Sequence, residues 1–183
     1  MGWIFLIAGL ALWSGAHFFK RVAPTARARM GDAGKGLVAG LSVLGIVLMV
    51  MGYRWTEYVP VWEPPAFLRH VNNLLMVAAF YLLGVGAAKG TVAGRLRHPM
   101  LTGVAVWAVA HLLVNGDAAS LLLFGGMLAW ALAEIVVVSR AEPWDRPRGV
   151  SLKGDLKALV IGLVVMAVAA AIHIWLGVNP FGG

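Results

Sequence analysis

Long apolar runs separated by short polar clusters dominate the chain. Six such segments can be marked, at about 3–19, 37–53, 72–88, 100–115, 118–138 and 157–176. A helix rises ~1.5 Å per residue and the hydrocarbon layer is ~30 Å thick, so each segment is close to spanning length. The fourth is short and must stand nearly upright or end inside a protein-lined pocket. The pattern predicts an all-α fold, a polytopic transmembrane helical bundle of about six spans, as one domain over residues 1–183.

The composition supports a membrane protein and argues against a soluble domain, a cysteine-based site and a nucleic-acid-binding protein. The chain is 61% hydrophobic and 13% charged, with a mean hydropathy of +0.84, which is outside the range of ordinary soluble domains. Because cysteine is absent, disulfides and thiolate metal sites are excluded. The net charge of +7 lies in loops beside the spans, so anchoring at a lipid bilayer explains it better than nucleic-acid binding.

The distribution of basic residues predicts the orientation. The second loop holds only Arg54 and Arg69, and the fourth holds none. The odd loops hold the rest: Lys20, Arg21, Arg27, Arg29, Lys35, Lys89, Arg95, Arg97, Arg140, Arg146, Arg148, Lys153 and Lys157. Odd loops are therefore expected in the cytoplasm and both termini on the other side. The first segment ends in Lys20-Arg21, without a small-residue cleavage motif, and is expected to be a retained span.

Two further patterns concern loops and packing. The second loop, YRWTEYVPVWEPPAFLRH, contains Pro60, Pro64 and Pro65, which prevent a regular helix. Its aromatic residues predict an interfacial belt, with a lid over a site as the alternative. The small-residue pairs Gly36–Gly40 and Gly86–Gly90 predict close contacts between helices.

Histidines carry the candidate chemistry. His111 and His173 lie well inside predicted spans, His17 lies in the first span near its cytoplasmic end, and His98 starts the fourth beside Pro99. The fifth, His70, is expected to be interfacial and structural. An ionisable group within a span is costly and usually faces the interior of the bundle. A single one can be structural, but several in a cysteine-free bundle favour a metal or haem site.

Spacing and depth constrain the pairing of these imidazoles. His98 and His111 are thirteen residues apart, ~20 Å along a helix, so they cannot bind one iron together. Depth pairs His17 with His98 and His111 with His173, although tilt could change this. Glu134 is a candidate partner for a histidine or a proton acceptor on the cytoplasmic side, or else a residue near the end of a helix whose side chain reaches the interface. A cap on the fifth span is expected from Asp117.

The stretch RHPMLTGVAVWAVAHLLVNGDAASLLLFGGMLAWAL, residues 97–132, resembles the NnrU family of bacterial membrane proteins. Supporting pieces are GAHFFKRVAPTARARMGDAGKGL, PPAFLRH and DLKALVIGLVVMAVAAAIHIWLGV, so the resemblance covers nearly the whole chain in order. The family is named for an association with nitrite and nitric oxide reduction in denitrifying bacteria. It is similar to plant 15-cis-zeta-carotene isomerase, an integral membrane enzyme that binds haem b.

The resemblance implies a haem b protein of the bacterial inner membrane with periplasmic termini, acting as a redox or nitric-oxide-responsive centre in denitrification. Carried over by motif, the proposed axial ligands correspond to His17 and His111, which conflicts with the pairing by depth. His98 and His173 stay candidates for contact with the cofactor. The alternatives are a haem-dependent cis-trans isomerase of a carotenoid-type polyene and a non-catalytic assembly factor for a nitrogen-oxide reductase. No catalytic residue is identified.

Overall fold

The computed structural model describes residues 1–181, and a helix lies in every predicted apolar segment. The helices are α1 Gly2–Val22, α2 Pro24–Arg29, α3 Gly31–Trp55, α4 Leu68–Val85, α5 Pro99–Val114, α6 Ala118–Ala141 and α7 Leu152–Trp175, with a 3-10 helix at Thr91–Gly94. Residues 1–181 contain isolated β-bridges and no strand. The predicted all-α fold of a helical membrane protein is confirmed.

Five of these helices are long and apolar enough to cross a membrane: α1, α3, α4, α6 and α7. The sixth apolar helix, α5, has 16 residues and spans ~24 Å, less than the ~30 Å of the hydrocarbon layer. The segment predicted at 72–88 is displaced, because α4 begins at Leu68 and ends at Val85. Beyond it the chain turns, and Lys89 adopts a left-handed backbone with φ +55° that a helix cannot contain.

The chain forms two compact units. One comprises Met1–Trp62 and Gly116–Trp130, and the other comprises Glu63–Asn115 and the chain from Ala131 onward. The first half of α6 therefore belongs to unit 1 and its second half to unit 2.

In unit 1, α1 and α3 pack in antiparallel register through glycines. Gly2 lies beside Thr56, Gly9 beside Met49, and Gly52 beside Leu6. A Cβ at Gly9 would lie 2.7 Å from the backbone nitrogen of Met49, so only glycine permits this approach. Helices in lipid gain no hydrophobic driving force from one another, and close packing of this kind holds them together.

The loop after α3 is not helical, as its prolines predict. It pairs with the turn before α6: Val61 N–H donates to Gly116 O at 2.8 Å, and Ala118 N–H donates to Val59 O at 2.9 Å. Asp117 caps α6 as expected, since its carboxylate accepts from Ser120 N–H at 2.9 Å. Aromatic side chains of this loop, including Tyr58 at 72% exposure, point outward and fit an interfacial belt.

In unit 2, α4 runs antiparallel to both α5 and α7. A Cβ at Gly103 of α5 would lie 3.0 Å from Ala79 O, and one at Gly162 of α7 would lie 3.0 Å from Phe80 O. The levels of Gly103 and Gly162 therefore coincide on α4. Because Gly103 and Gly162 share one level on α4, the depth of any later residue in α5 or α7 can be counted from them.

One carboxylate ties the start of α7 to its neighbours in unit 2. Asp155 accepts from the Tyr81 hydroxyl and from the Thr91 hydroxyl, each at 2.6 Å. Gly90 lies against the same carboxylate, and a side chain there would collide with it. The loop between α4 and α5 is thereby fastened to α7 by charge-assisted hydrogen bonds.

The two predicted small-residue contacts have different outcomes. The prediction for Gly86–Gly90 is confirmed in part. Gly90 lies close to Asp155 of α7, whereas Gly86 makes an ordinary contact with Pro99 at 3.5 Å, and both glycines lie beyond the end of α4 at Val85. The prediction for Gly36–Gly40 is wrong among residues 1–181, because a Cβ at either position would meet nothing within 4 Å. The contact of α3 with α1 uses a different stripe of the helix, which contains Gly52.

We expect Gly52→Ala to lower the thermal unfolding midpoint in detergent, because the added Cβ would press on the backbone of Leu6. Overpacking of this kind costs about 1–3 kcal/mol. Gly40→Ala, in the same helix but facing open space, is the matched control and should leave the midpoint unchanged or raise it. Equal losses in the two variants would contradict the α1–α3 contact.

Candidate functional site

His17, in α1, lies in a cluster of three rings that we call the His17 cluster, with Trp13 and Trp130. Its ring centroid is 4.2 Å from that of Trp13 and 4.9 Å from that of Trp130. The Nδ1 atom is 2.8 Å from Trp13 O. Because a carbonyl oxygen only accepts, Nδ1 carries the proton and the lone pair of Nε2 is available. This is how metal-binding histidines are commonly oriented.

The two indoles of the His17 cluster have unsatisfied donors. The Nε1 atoms of Trp13 and Trp130 are buried, and neither finds an acceptor within residues 1–181. Leaving a buried donor without a partner costs about 1–3 kcal/mol. Trp130 is only 6% exposed, so bulk solvent does not satisfy it. Two such donors beside an available imidazole nitrogen fit a place that holds a further group.

His111 lies in the last turn of α5, in unit 2, and is half-buried. The Trp107 ring packs against the imidazole with centroids 5.2 Å apart and planes at 72°. The carbonyl of His111 accepts from the backbone N–H of Asn115 at 3.0 Å and from its side-chain amide at 2.8 Å. Asn115 thereby caps α5, which ends at Val114, three residues after the histidine, and the Trp107 ring packs against the imidazole.

His173 lies near the end of α7 and is exposed on unit 2. Its Nδ1 donates to Ala169 O at 2.8 Å, which leaves the lone pair of Nε2 available. His111 and His173 are within electrostatic reach of each other. Their positions along the helices also place them close together. His111 lies eight residues beyond Gly103 and His173 lies eleven beyond Gly162, so their depths differ by only about 5 Å.

His98 has a different environment, at the opposite end of unit 2 from His111. It is the N-cap of α5, with Pro99 in the first position, and its Nε2 is 2.9 Å from the Ser139 hydroxyl. Burial, together with the positive charge of Arg97, lowers the pKa of His98 below its ordinary value of 6.5. These contacts favour a helix-start role. His70 is exposed in the first turn of α4, where an interfacial residue is expected.

The donor set restricts what the site could hold. Within residues 1–181, no group of three or more His, Asp and Glu side chains lies together. Zinc sites need three or four protein ligands, whereas haem iron needs one or two axial ligands and takes its equatorial ligands from the porphyrin. Imidazole pairs therefore suit haem better than a bare ion. Glu134 is half-buried in α6, and its role stays a prediction.

The tryptophans beside the histidines are functional candidates that reasoning from single histidines missed. Trp13 and Trp107 stand four residues before His17 and His111 respectively, within WSGAH and WAVAH. Residues four apart lie on one helix face, so each indole contacts the following imidazole. The repeated Trp-x-x-Ala-His spacing was the signal in the sequence. Trp130, which lies on another helix, had no such signal.

The comparisons with known proteins agree with this reading of a membrane helix protein. The model of the NnrU protein family matches residues 5–180. The chain belongs to the NnrU family. The resemblance seen in the sequence is thereby confirmed over nearly the whole chain, and the match extends across residues of both units. No curated protein and no solved structure gives a significant match.

The lowered pKa of His98 predicts how the stability of the folded protein depends on pH. Because the folded-state pKa is lowered, the unfolded chain binds a proton first as the pH falls through about 6.5. The stability contribution of His98 is therefore complete above that pH and is lost progressively below it, down to the folded-state pKa. Unfolding midpoints measured across this range should fall less steeply for His98→Gln than for the wild type. Parallel curves for the two proteins would contradict the assignment.

Proposed function

We propose that this protein is an integral membrane haem b protein that serves nitrite and nitric oxide metabolism as a redox or nitric-oxide-responsive centre. The observation that carries the proposal is the juxtaposition of His111 and His173 at nearly one depth of unit 2, within electrostatic reach of each other. Neutral imidazoles are the ligands that b-type haem iron takes within a helical bundle. Membership in the NnrU family supports the link to nitrogen oxides.

The residues around these imidazoles have roles that fit this use. The Ala169 carbonyl fixes the tautomer of His173 with its Nε2 lone pair outward. The Trp107 ring limits rotation of His111, and Asn115 holds the backbone of that residue. A bound haem would supply one-electron chemistry or a binding site for nitric oxide. Coordination would also offset the cost of placing an imidazole in an apolar helix.

The His17 cluster is the second part of the proposal. Its imidazole is oriented as a ligand would be, and the unpaired indole donors of Trp13 and Trp130 would hydrogen-bond to acceptor atoms of a group held there. The resemblance to the plant isomerase implies His17 and His111 as axial ligands, whereas the depth of the residues along the helices favours His111 and His173. His111 belongs to both pairings, and we propose it as the principal ligand.

Location and organisation complete the proposal. We place the protein in the bacterial inner membrane with both termini in the periplasm, because its basic residues are concentrated at one end of each unit. We also treat residues 1–183 as one functional domain. Support comes from the family match, which runs through both units without interruption. The isomerase and the assembly factor stay predictions from the sequence.

The test is an absorption spectrum of detergent-purified protein, oxidised and then reduced with dithionite, with a pyridine haemochromogen assay for haem content. We expect a b-type spectrum in the wild type and its loss in His111→Ala. Loss in His173→Ala would identify the pairing by depth, and loss in His17→Ala would identify the pairing by motif. His98→Ala should retain haem, because the Nε2 atom of His98 already contacts Ser139.

The matched control is His70→Ala, which removes an exposed histidine outside the proposed site and should leave the spectrum unchanged. Thermal unfolding of each variant separates loss of haem from loss of fold. A folded but colourless wild type, expressed with ample haem supply, would overturn the proposal. Co-purification of that colourless protein with a nitrogen-oxide reductase would then favour the assembly factor.

A further inference from the structure

A basic cleft lies at one end of unit 2, between the loop after α4 and the loop after α6. Its volume is about 550 Å³, and it is lined by Lys89, Asp145, Arg146, Pro147 and Arg148. Three cations and one carboxylate give the lining a net positive charge. Among the described residues, none of these three cations forms an ion pair with a carboxylate. The positive charge of the cleft is therefore not neutralised by the protein itself.

Lys89 occupies its place in the cleft at a backbone cost. Its φ of +55° lies in the left-handed region, which glycine adopts readily and a residue with a Cβ does not. The Lys89 carbonyl accepts from Ser151 N–H at 3.0 Å, so the conformation is held by α7's preceding residue. Strained residues of this kind are concentrated at functional sites. A lysine where glycine would be unstrained indicates that the side chain is needed.

Arg146 is also held in position. Its guanidinium carbon lies 4.6 Å from the centroid of the Trp144 ring, within the range of a cation–π contact. The contact restrains a long side chain that would otherwise lose much conformational entropy on binding. A planar guanidinium held in this way can donate two hydrogen bonds to the oxygens of one phosphate group.

The cleft lies at the end of unit 2 where four of its helices begin or end. Helix α4 ends there and α5 and α7 begin there, because Gly86 faces Pro99 and Gly154 faces the Lys89 carbonyl. The end of α6 reaches the same level, since Arg97 donates to the Glu142 carbonyl. Four helix ends therefore lie at this end of unit 2, and the phosphates of lipid headgroups are expected at the ends of apolar helices that cross a bilayer.

We propose that this cleft binds a phosphate group, presented by an anionic lipid headgroup or by a soluble phosphate. Lysine contributes a point charge and the two arginines contribute directed donors, which together match phosphate oxygens. Asp145 lines the same cleft, and its carboxylate would accept a hydrogen bond from a ligand that carries a hydroxyl beside the phosphate. The proposal does not depend on haem or on any of the histidines.

The first experiment measures lipid binding by native mass spectrometry of protein in uncharged detergent, with phosphatidylglycerol and phosphatidylcholine as probes. We expect phosphatidylglycerol to bind at least about fivefold more tightly, and Lys89→Gly to weaken it about fivefold. Lys153→Gln is the matched control, because it removes one charge from the same end outside the cleft lining. Lys89→Gly should also raise the unfolding midpoint without ligand, since it removes the backbone strain.

The second experiment separates the two sources of phosphate. Inorganic phosphate is added to the detergent-purified protein, and the rise in unfolding midpoint is compared with that produced by phosphatidylglycerol. A rise with both that is lost in Lys89→Gly supports a soluble phosphate ligand, and a rise with the lipid alone supports the headgroup. Arg148→Gln provides an independent variant that leaves the Lys89 backbone untouched. The proposal is overturned if Lys153→Gln weakens binding as much as Lys89→Gly, or if neither probe binds.

Discussion

Inside a bilayer no water is available to hydrogen-bond a polar group, and this constraint governs the structure at every level. The backbone satisfies it by forming helices, and the turn before α6 satisfies it through Asp117 and Ser120. The imidazoles of His17 and His173 satisfy it within their own helices, by donating to carbonyls one turn earlier. Within residues 1–181 the indole donors of Trp13 and Trp130 find no acceptor, which supports the proposal that the His17 cluster holds a further group.

The packing of helices converts this local chemistry into a site. Because lipid and side chains are equally apolar, helices associate through close contact of small residues. Gly103 and Gly162 bring α5 and α7 against one level of α4, and both helices run antiparallel to it. His111 and His173 reach a similar depth as a consequence of that register. The position of the candidate pair thus depends on glycines well over 10 Å away along the helices.

Much of this could be predicted from the sequence because hydropathy and proline report on single segments. Local rules predict the helices, including the short α5. They also predict the non-helical loop between α3 and α4 and the Asp117 cap. Contacts between segments do not follow from such rules. The spacing of Gly36 and Gly40 allows a close helix contact, yet nothing among residues 1–181 lies within 4 Å of a Cβ at either position. The left-handed backbone of Lys89 escaped prediction for a related reason, because the loop is fastened by Asp155 from a distant helix.

The hydrogen bonds of the histidines distinguish His98 from His17 and His173. A histidine retained for packing would be expected to bond to another helix, as His98 does with Ser139. The bond from His173 to Ala169, like that from His17 to Trp13, joins a ring to its own helix and ties nothing together across the fold. Such a bond is a poor reason to place an imidazole in an apolar span, where it carries a desolvation cost. It also fixes the tautomer and leaves the Nε2 lone pair outward, an orientation common among metal-binding histidines, which supports the proposal that these residues are ligands.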